Sequence, residues 1–423
     1  MLQSFSRISN EEGVREALNS NVFRLLNSIL PGELIDRHSA LPTVWGEPDF
    51  VLITKEEDMM NSVLRLAIEV KTKWVLSSND LVAQFNREVE TQKKNRKRKR
   101  NSVIYNSNLQ NSVIRQIRQI FGYLCHNGLR YGVITTYDYS WFLCRSFEGP
   151  KLLLISPAIS YDSRNPTILQ CFFHLASLAR NDKHRALSPD TYFSTDHGNL
   201  TSGYDNNYQS DIGQRGRGGP SHQNTEKREL RRSRRNAGKD VEEPRNIKSS
   251  AKTEVQRFGW NAFHVMGVLG GGRSGKVFKA TFQQEEVALK ICDIWQHPEY
   301  EAEMLNEVAV YKHLERLQGR SIPKFKGAGY TSGGLFALMT EMSGIPIDIE
   351  NLSDFERHKV VKTLCNIHNE GVIHNDIKLD NILVRRHGNI CHVMMIDFAL
   401  SERSADMKRA RNEMVRLKRM LGV

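Results

Sequence analysis

Residues Ile373–Val384 read Ile-His-Asn-Asp-Ile-Lys-Leu-Asp-Asn-Ile-Leu-Val, a polar cluster entered by an apolar residue and left by an apolar triplet. That pattern predicts a strand-like entry, a loop that presents side chains, and a short strand that anchors the loop in a core. Within the loop, Asp376 offers a base, Lys378 a nearby cation and Asn381 a neutral oxygen ligand. Phosphoryl transfer to a hydroxyl needs such a set. Read alone, a polar surface turn would explain the same residues.

Five further stretches stand around it in a fixed order. Val268–Val277 places Gly270, Gly272 and Gly275 in a G-x-G-x-x-G-x-V pattern ending at Val277, so that a hairpin backbone could approach phosphates without Cβ clashes. Glu286–Cys292 alternates as a strand and carries Lys290; Tyr300–Leu317 has helical periodicity and carries Glu307, with Glu303 one turn earlier as the alternative partner for that lysine. Leu335–Met342 predicts a buried strand whose end, Glu341 and Met342 before Ser343-Gly344, would form a hinge offering backbone groups to a base. Val393–Ala399 is an apolar strand ending in Asp397, a second candidate metal ligand.

In this order the six stretches resemble the motifs of protein kinases. The resemblance implies an α+β domain that binds ATP and Mg²⁺ and transfers phosphate to a protein hydroxyl, of Ser/Thr type. It implies Asp376 as base, Asn381 and Asp397 as metal ligands, and a Lys290–Glu307 ion pair. Three departures stand out. Asn375 occupies a position where many kinases carry Arg, Ala399 replaces the Gly of D-F-G, and the sequence runs only to Val423, leaving room for a compact helical lobe and no usual peptide platform. A rival reading keeps the nucleotide but not the transfer, with ATP acting as a structural switch.

Of 423 residues, 60 are Lys or Arg and 48 Asp or Glu, giving a formal charge of +12 that points to an anionic partner. Much of the excess lies in two runs, Lys93–Arg100 and Lys227–Arg235, each readable as a nuclear import signal or a grip on DNA phosphates. Six scattered cysteines without a C-x-x-C pair favour reduced thiols over a disulfide framework or zinc site. The polar N-terminus and the absence of a long apolar run predict neither a signal peptide nor a membrane span, and therefore no membrane partner.

The chain is expected to open with a helix capped by Ser9 and Glu12, with Val14, Leu18, Val22, Leu25, Leu26 and Ile29 on its apolar face, and to end it at Pro31-Gly32. Strands at 47–53 and 64–73 follow. On the second, Glu69 and Lys71 share a face, with Asp49 on the neighbouring strand. Such a group could hold Mg²⁺ beside a phosphodiester. On a following helix Gln119 and Tyr123 lie four apart and so face one way. These residues resemble the PD-(D/E)XK nuclease superfamily and its Q-x-x-x-Y branch, which implies Asp49 and Glu69 as metal ligands and Lys71, Gln119 and Tyr123 as catalytic groups. Whether cleavage accompanies the fold is left open.

From 181 to 254, Ser, Asn, Gly, Asp and Arg replace apolar periodicity, predicting a disordered basic linker. The expected organisation is therefore an α/β nuclease-like domain at 1–180, that linker, and an α+β kinase-like domain with a short C-terminal lobe at 255–423, the two cores folding independently. The combination resembles fungal kinase-bearing Crinkler-type effectors. That resemblance implies action in the nucleus, with delivery to a host cell as one route to it, and DNA and an import receptor as partners; a cytoplasmic site is the alternative.

Overall fold

The computed structural model describes residues 10–55, 62–76, 80–98, 112–147, 149, 151–182, 186, 188–189, 255–388 and 390–423. The linker from 190 onward, with the second basic run, lies outside the described residues, as does the end of the first run, Lys99 and Arg100.

Helix α1 (Glu11–Leu18) is capped by Asn10, whose side chain accepts the Gly13 amide at 2.8 Å. The expected cap, Ser9, lies outside the described residues. A π-helical turn at Asn19–Phe23 leads into α2 (Arg24–Ile29). The wider turn rotates the succeeding helix, so Phe23, Leu26 and Leu30 are buried, while Leu25 and Ile29, expected inside, are exposed.

Strands β1 (Glu33–Asp36), β2 (Phe50–Thr54) and β3 (Val63–Val70) form an antiparallel meander. Helices α3 (Leu81–Arg98) and α4 (Val113–His126) then carry the chain to β4 (Tyr131–Thr135), parallel to β3. A parallel neighbour demands such a crossover. β5 (Tyr139–Arg145), β6 (Leu153–Ile155) and β7 (Ile159–Ser160) extend the sheet antiparallel, and α5 (Ile168–Asn181) follows. The basic block Lys93–Arg100 continues α3 as far as Arg98.

The core of β3 is buried on both faces. Leu66, Ile68 and Val70 pack with Val14, Leu18, Phe23 and Phe172, whereas Ala67 faces Ile117, Ile120 and Tyr123 of α4. Period-two alternation puts Glu69 on the α4 side.

A second sheet, in the order β8-β12-β13-β11-β10-β9, comprises β8 (Gln256–Phe258), β9 (His264–Gly272), β10 (Gly275–Phe282), β11 (Glu285–Cys292), β12 (Phe325–Thr331) and β13 (Phe336–Glu341), with α6 (Tyr300–His313) between β11 and β12. A mainly helical lobe follows: β14 (Ile345–Pro346), α7 (Asp354–Asn369), β15 (Val372–Ile373), the hairpin β16 (Ile382–His387) and β17 (Ile390–Met395), β18 (Glu402–Arg403) and α8 (Met407–Leu421). One apolar cluster runs from Val308 and Tyr311 of α6 through Val360 and Leu364 of α7 to Leu417 and Leu421 of α8.

The expectation of two independent cores is not met. The described residues from 10 to 189 and from 255 to 423 form one compact unit. On β11, Val287, Leu289 and Ile291 point away from Lys290, and with Phe278, Ala280, Ala337 and Met339 they share a core with Trp45, Ile117, Ile120 and Tyr123. Trp45 stacks on Phe278 with ring centroids 5.8 Å apart and on His126 at 5.1 Å. An apolar sheet face of this size would be costly in water, and the N-terminal domain covers it.

Candidate active site and the buried N-terminal cluster

The catalytic stretch folds as expected from its pattern: β15 enters, Asn375–Lys378 forms a loop, and β16 leaves. His374 is fully buried and organises the entry. Its Nδ1 accepts the Asp376 amide at 3.4 Å and its Nε2 donates to Ile396 O at 3.0 Å, which is the neutral tautomer. Burial lowers the pKa of this imidazole, in keeping with that form. Asp376 Oδ2 accepts from Lys378 Nζ at 2.8 Å and Asn381 Nδ2 at 2.9 Å, so both neighbours aim one carboxylate oxygen.

Across the cleft, Lys290 Nζ donates to Glu307 Oε2 at 2.9 Å and Asp397 Oδ1 at 2.7 Å. Burial alone would lower the lysine pKa, but the two carboxylates outweigh it and hold Lys290 protonated well above its ordinary range. Burial likewise opposes charge on Asp397, yet the Lys290 ammonium keeps its carboxyl below the usual value. Glu303 does not face Lys290; it forms a two-pronged pair with Arg273 at the tip of the glycine hairpin, at 2.9 and 2.5 Å.

The glycines divide by role. A Cβ on Gly275, where φ is +145°, would lie 2.1 Å from Ile291 O, so the turn requires glycine. At Gly270 and Gly272 a Cβ would meet nothing within 4 Å. Their backbone is open to a ligand. Val277 sits opposite both Gly270 and Lys290 in the sheet register. Glu341 ends β13, where its side chain accepts the Lys324 amide at 3.1 Å, and Met342 O accepts from Arg385 at 3.2 Å.

Of the departures noted in the sequence, Ala399 costs no strain, because positive φ falls on Asp397 (+66°) and not on residue 399. Asn375 also has positive φ, +64°, a conformation Asn tolerates better than most residues. Its side chain donates to Leu400 O at 3.0 Å and accepts from Arg409 at 3.2 Å. Thus α8 brings a guanidinium to the place where the loop itself lacks one.

Sequence reading missed two groups that hold this site, Asn306 and Glu413, while a third, Phe398, is the middle residue of the D-F-A segment it had marked. Asn306 donates to Ala399 O at 3.1 Å and Ser401 O at 2.8 Å, fastening α6 to the segment after Asp397. Phe398 packs edge-on against Tyr311 at 5.3 Å. Glu413 on α8 accepts the His374 and Asn375 amides. Neither Asn306 nor Glu413 has a spacing that marks it in the sequence.

The donor set suits the expected cofactors. Asn381 Oδ1 and Asp397 Oδ2 have no protein donor among the described residues. Hard oxygen ligands of this kind, one anionic and one neutral, fit Mg²⁺, which keeps several waters. Open glycine backbone beside a charged lysine fits the phosphates of ATP.

In the N-terminal domain, Asp49, Glu69, Lys71, Gln119 and Tyr123 are also brought together. Asp49 is bound by Arg15 and by the Val70 amide at 2.6 Å. Glu69 Oε1 accepts from Lys71 at 2.6 Å and Gln119 at 2.9 Å; Oε2 is buried without a partner. Glu69 is 0 % exposed, and burial pushes its pKa well up despite Lys71. Each carboxylate expected to hold a metal ion thus pairs with a cation, Asp49 with Arg15 and Glu69 with Lys71, and the described residues hold no group of three or more His, Cys, Asp or Glu side chains placed to bind one. Gln119 and Tyr123, 1 % and 0 % exposed, face the second domain and not a solvent cleft. Tyr123 donates to Asp293 at 2.6 Å and Gln119 to Gln296 at 3.0 Å.

A strand-rich lobe with an open glycine hairpin and a buried Lys–Glu pair, set against a helical lobe with an Asp/Asn loop, defines a nucleotide-dependent kinase fold. Residues 263–418 match the family described as protein kinase domain, and that segment of the chain is a protein kinase domain. Among curated proteins it is similar to the serine/threonine-protein kinase CLA4 of Candida albicans, 30% identical over 169 residues that make up 36% of this chain and 16% of the relative. It is also similar to the serine/threonine-protein kinase STE20 of Debaryomyces hansenii, 30% identical over 163 residues, 35% of this chain and 14% of the relative. The chain spans less than a fifth of the length of these relatives.

Proposed function

We propose that the C-terminal domain transfers phosphate from ATP to a serine or threonine hydroxyl of a protein. The observation that carries this reading is the convergence of Lys290 on Glu307 and Asp397, opposite an Asp376 already oriented by Lys378 and Asn381. When bound, ATP with Mg²⁺ supplies the phosphoryl group and neutralises its charge. Lys290 would hold the phosphates and Asn381 and Asp397 the ion. Asp376 would accept the hydroxyl proton, with Lys378 balancing charge beside it.

Radiolabel transfer by the purified full chain tests this, with Asp376→Asn and Asp397→Ala as controls. Transfer lost in both variants, with nucleotide binding kept in Asp376→Asn, supports the assignment. Transfer unchanged in Asp376→Asn sinks it. Binding without transfer by the wild type supports the switch reading, which the short path from Asp397 to α8 favours.

For the N-terminal domain we propose a nuclease-like scaffold without cleavage in this arrangement. In its favour are the meander β1–β3, the crossover to parallel β4, and the gathering of Glu69, Lys71 and Gln119. Against turnover stand the buried carboxylates and the cations that occupy them. We further propose a nuclear protein that contacts DNA, resting on the two basic runs and the effector-like organisation. A tagged variant neutralised in both runs that still concentrates in nuclei would overturn that location.

A further inference from the structure

The segment at 293–299 joins the strand that carries Lys290 to the helix that carries Glu307, so whatever holds it sets the distance between those two groups. The N-terminal domain holds it at four residues. Asp293 Oδ2 accepts the Glu47 amide at 2.8 Å and the Tyr123 hydroxyl at 2.6 Å, while its Oδ1 accepts the Trp295 and Gln296 amides at 3.0 and 3.1 Å. Arg115 donates to Trp295 O at 2.7 Å and lies over the indole. Gln119 donates to Gln296 Oε1, and His297 Nε2 meets Glu47 Oε2 at 3.0 Å.

The junction is built closely. A Cβ on Gly46, where φ is +77°, would strike the Tyr123 ring at 2.4 Å. A void of about 10 Å³, lined by Gly46, Glu47, Lys276 and Asp293 among others, leaves room for a single water. Asp293 is 3 % exposed and Tyr123 fully buried, so their bond is shielded from solvent competition. Midway along its length α6 is fixed by Glu307 to Lys290 and by Asn306 to the segment after Asp397. Helix α6 is therefore held between the nucleotide site and the N-terminal domain.

We propose that Tyr123, acting through Asp293, is a positioning residue for the Lys290–Glu307 pair, and that the cluster that resembles a nuclease site serves as the anchor of α6. Gln119 links the two halves: its amide nitrogen, with two N–H groups to share among them, lies 2.9 Å from Glu69 Oε1, 2.8 Å from the Tyr123 oxygen and 3.0 Å from Gln296 Oε1. The consequence rests on the kinase reading, but the geometry does not.

The test uses the full chain with Tyr123→Phe, which removes one hydroxyl and keeps the ring. Tyr137→Phe is the control, since it breaks a comparable 2.8 Å bond to Asn21 within the N-terminal domain, away from the junction. Deuterium uptake over Tyr300–His313 should rise in Tyr123→Phe alone, with uptake over Asp354–Asn369 unchanged. In transfer assays, the ATP KM of Tyr123→Phe should rise at least about fivefold, the low end of ordinary coupling between sites. Asp293→Asn reads the same bond from its other end should Tyr123→Phe fail to fold. Uptake that is unchanged in α6, or that rises equally in α7, overturns the proposal. A selective rise in α6 without transfer by the wild type leaves the anchor standing and removes the kinase activity instead.

Discussion

Glu413 Oε1 accepts the amide of Asn375 at 2.7 Å, tying the last helix to the backbone of the catalytic loop. Its other oxygen accepts the His374 amide at 3.1 Å and His368 Nε2 at 2.8 Å. Burial opposes this charge, but the donors outweigh it and lower the Glu413 pKa from 4.5. A carboxylate with a depressed folded value stabilises the fold above its unfolded value, and that stability is lost as pH falls through the folded one.

Glu413→Gln should therefore lower the melting temperature at pH 7, with the difference from wild type shrinking below about pH 4.5. Loss of charged hydrogen bonds of this kind costs roughly 1.5–3 kcal/mol where they are buried, and less here because the site is partly open to water. A constant difference across pH 3–7 would refute the role assigned to the charge.

The glycine hairpin makes a separable pair of outcomes. Gly275→Ala should destabilise the fold, since φ and the Ile291 carbonyl both forbid a side chain. Gly270→Ala and Gly272→Ala should melt within about 1 kcal/mol of wild type, the ordinary range for Gly→Ala at tolerant sites, yet bind ATP more weakly. Calorimetric melts with and without Mg-ATP separate the two.

Glu307 and Glu303 are four apart on one helix and differ in what they meet. Glu307→Gln weakens a buried charged bond to Lys290, so transfer should fall about 10- to 100-fold, the rate equivalent of ~1.5–3 kcal/mol. Glu303→Gln should change it less than about threefold, because its partner Arg273 is half exposed. Equal losses would mean that the hairpin clamp, and not the buried pair, governs the site.

These contrasts show where sequence was informative. The kinase elements were legible because each chemical residue sits at a change of pattern: Asp397 ends an apolar strand, and Asp376 interrupts two. Glu69, Lys71, Gln119 and Tyr123 were legible as neighbours because strand and helix periods put them on facing surfaces. Their burial was not, since it depends on Asp293 and Gln296, more than 160 residues away in the chain. The apolar face of Val287, Leu289 and Ile291 reads from sequence as an ordinary core strand; only the fold reveals that another domain covers it.

That shared core predicts how the chain behaves when cut. Residues 1–182 alone would expose Trp45, Ile117 and Ile120, and residues 255–423 alone would expose Phe278, Leu289 and Met339. Each fragment should aggregate or melt early when expressed singly, and the pair should associate when expressed together, since side chains of this size gain about 1.5–3 kcal/mol each on burial. Association should weaken in acid. His126 packs between Trp45 and Trp260 and bonds Thr331, and burial lowers its pKa from 6.5 to about 3. Its neutral form therefore stabilises docking fully above pH 6.5 and progressively less as pH falls toward 3. At pH 5 the loss is on the order of 2 kcal/mol, or roughly 30-fold in affinity. Titration of one fragment with the other at pH 7.5 and 5.0, for wild type and His126→Gln, measures it. Two soluble fragments that ignore each other would show that the domains fold independently after all.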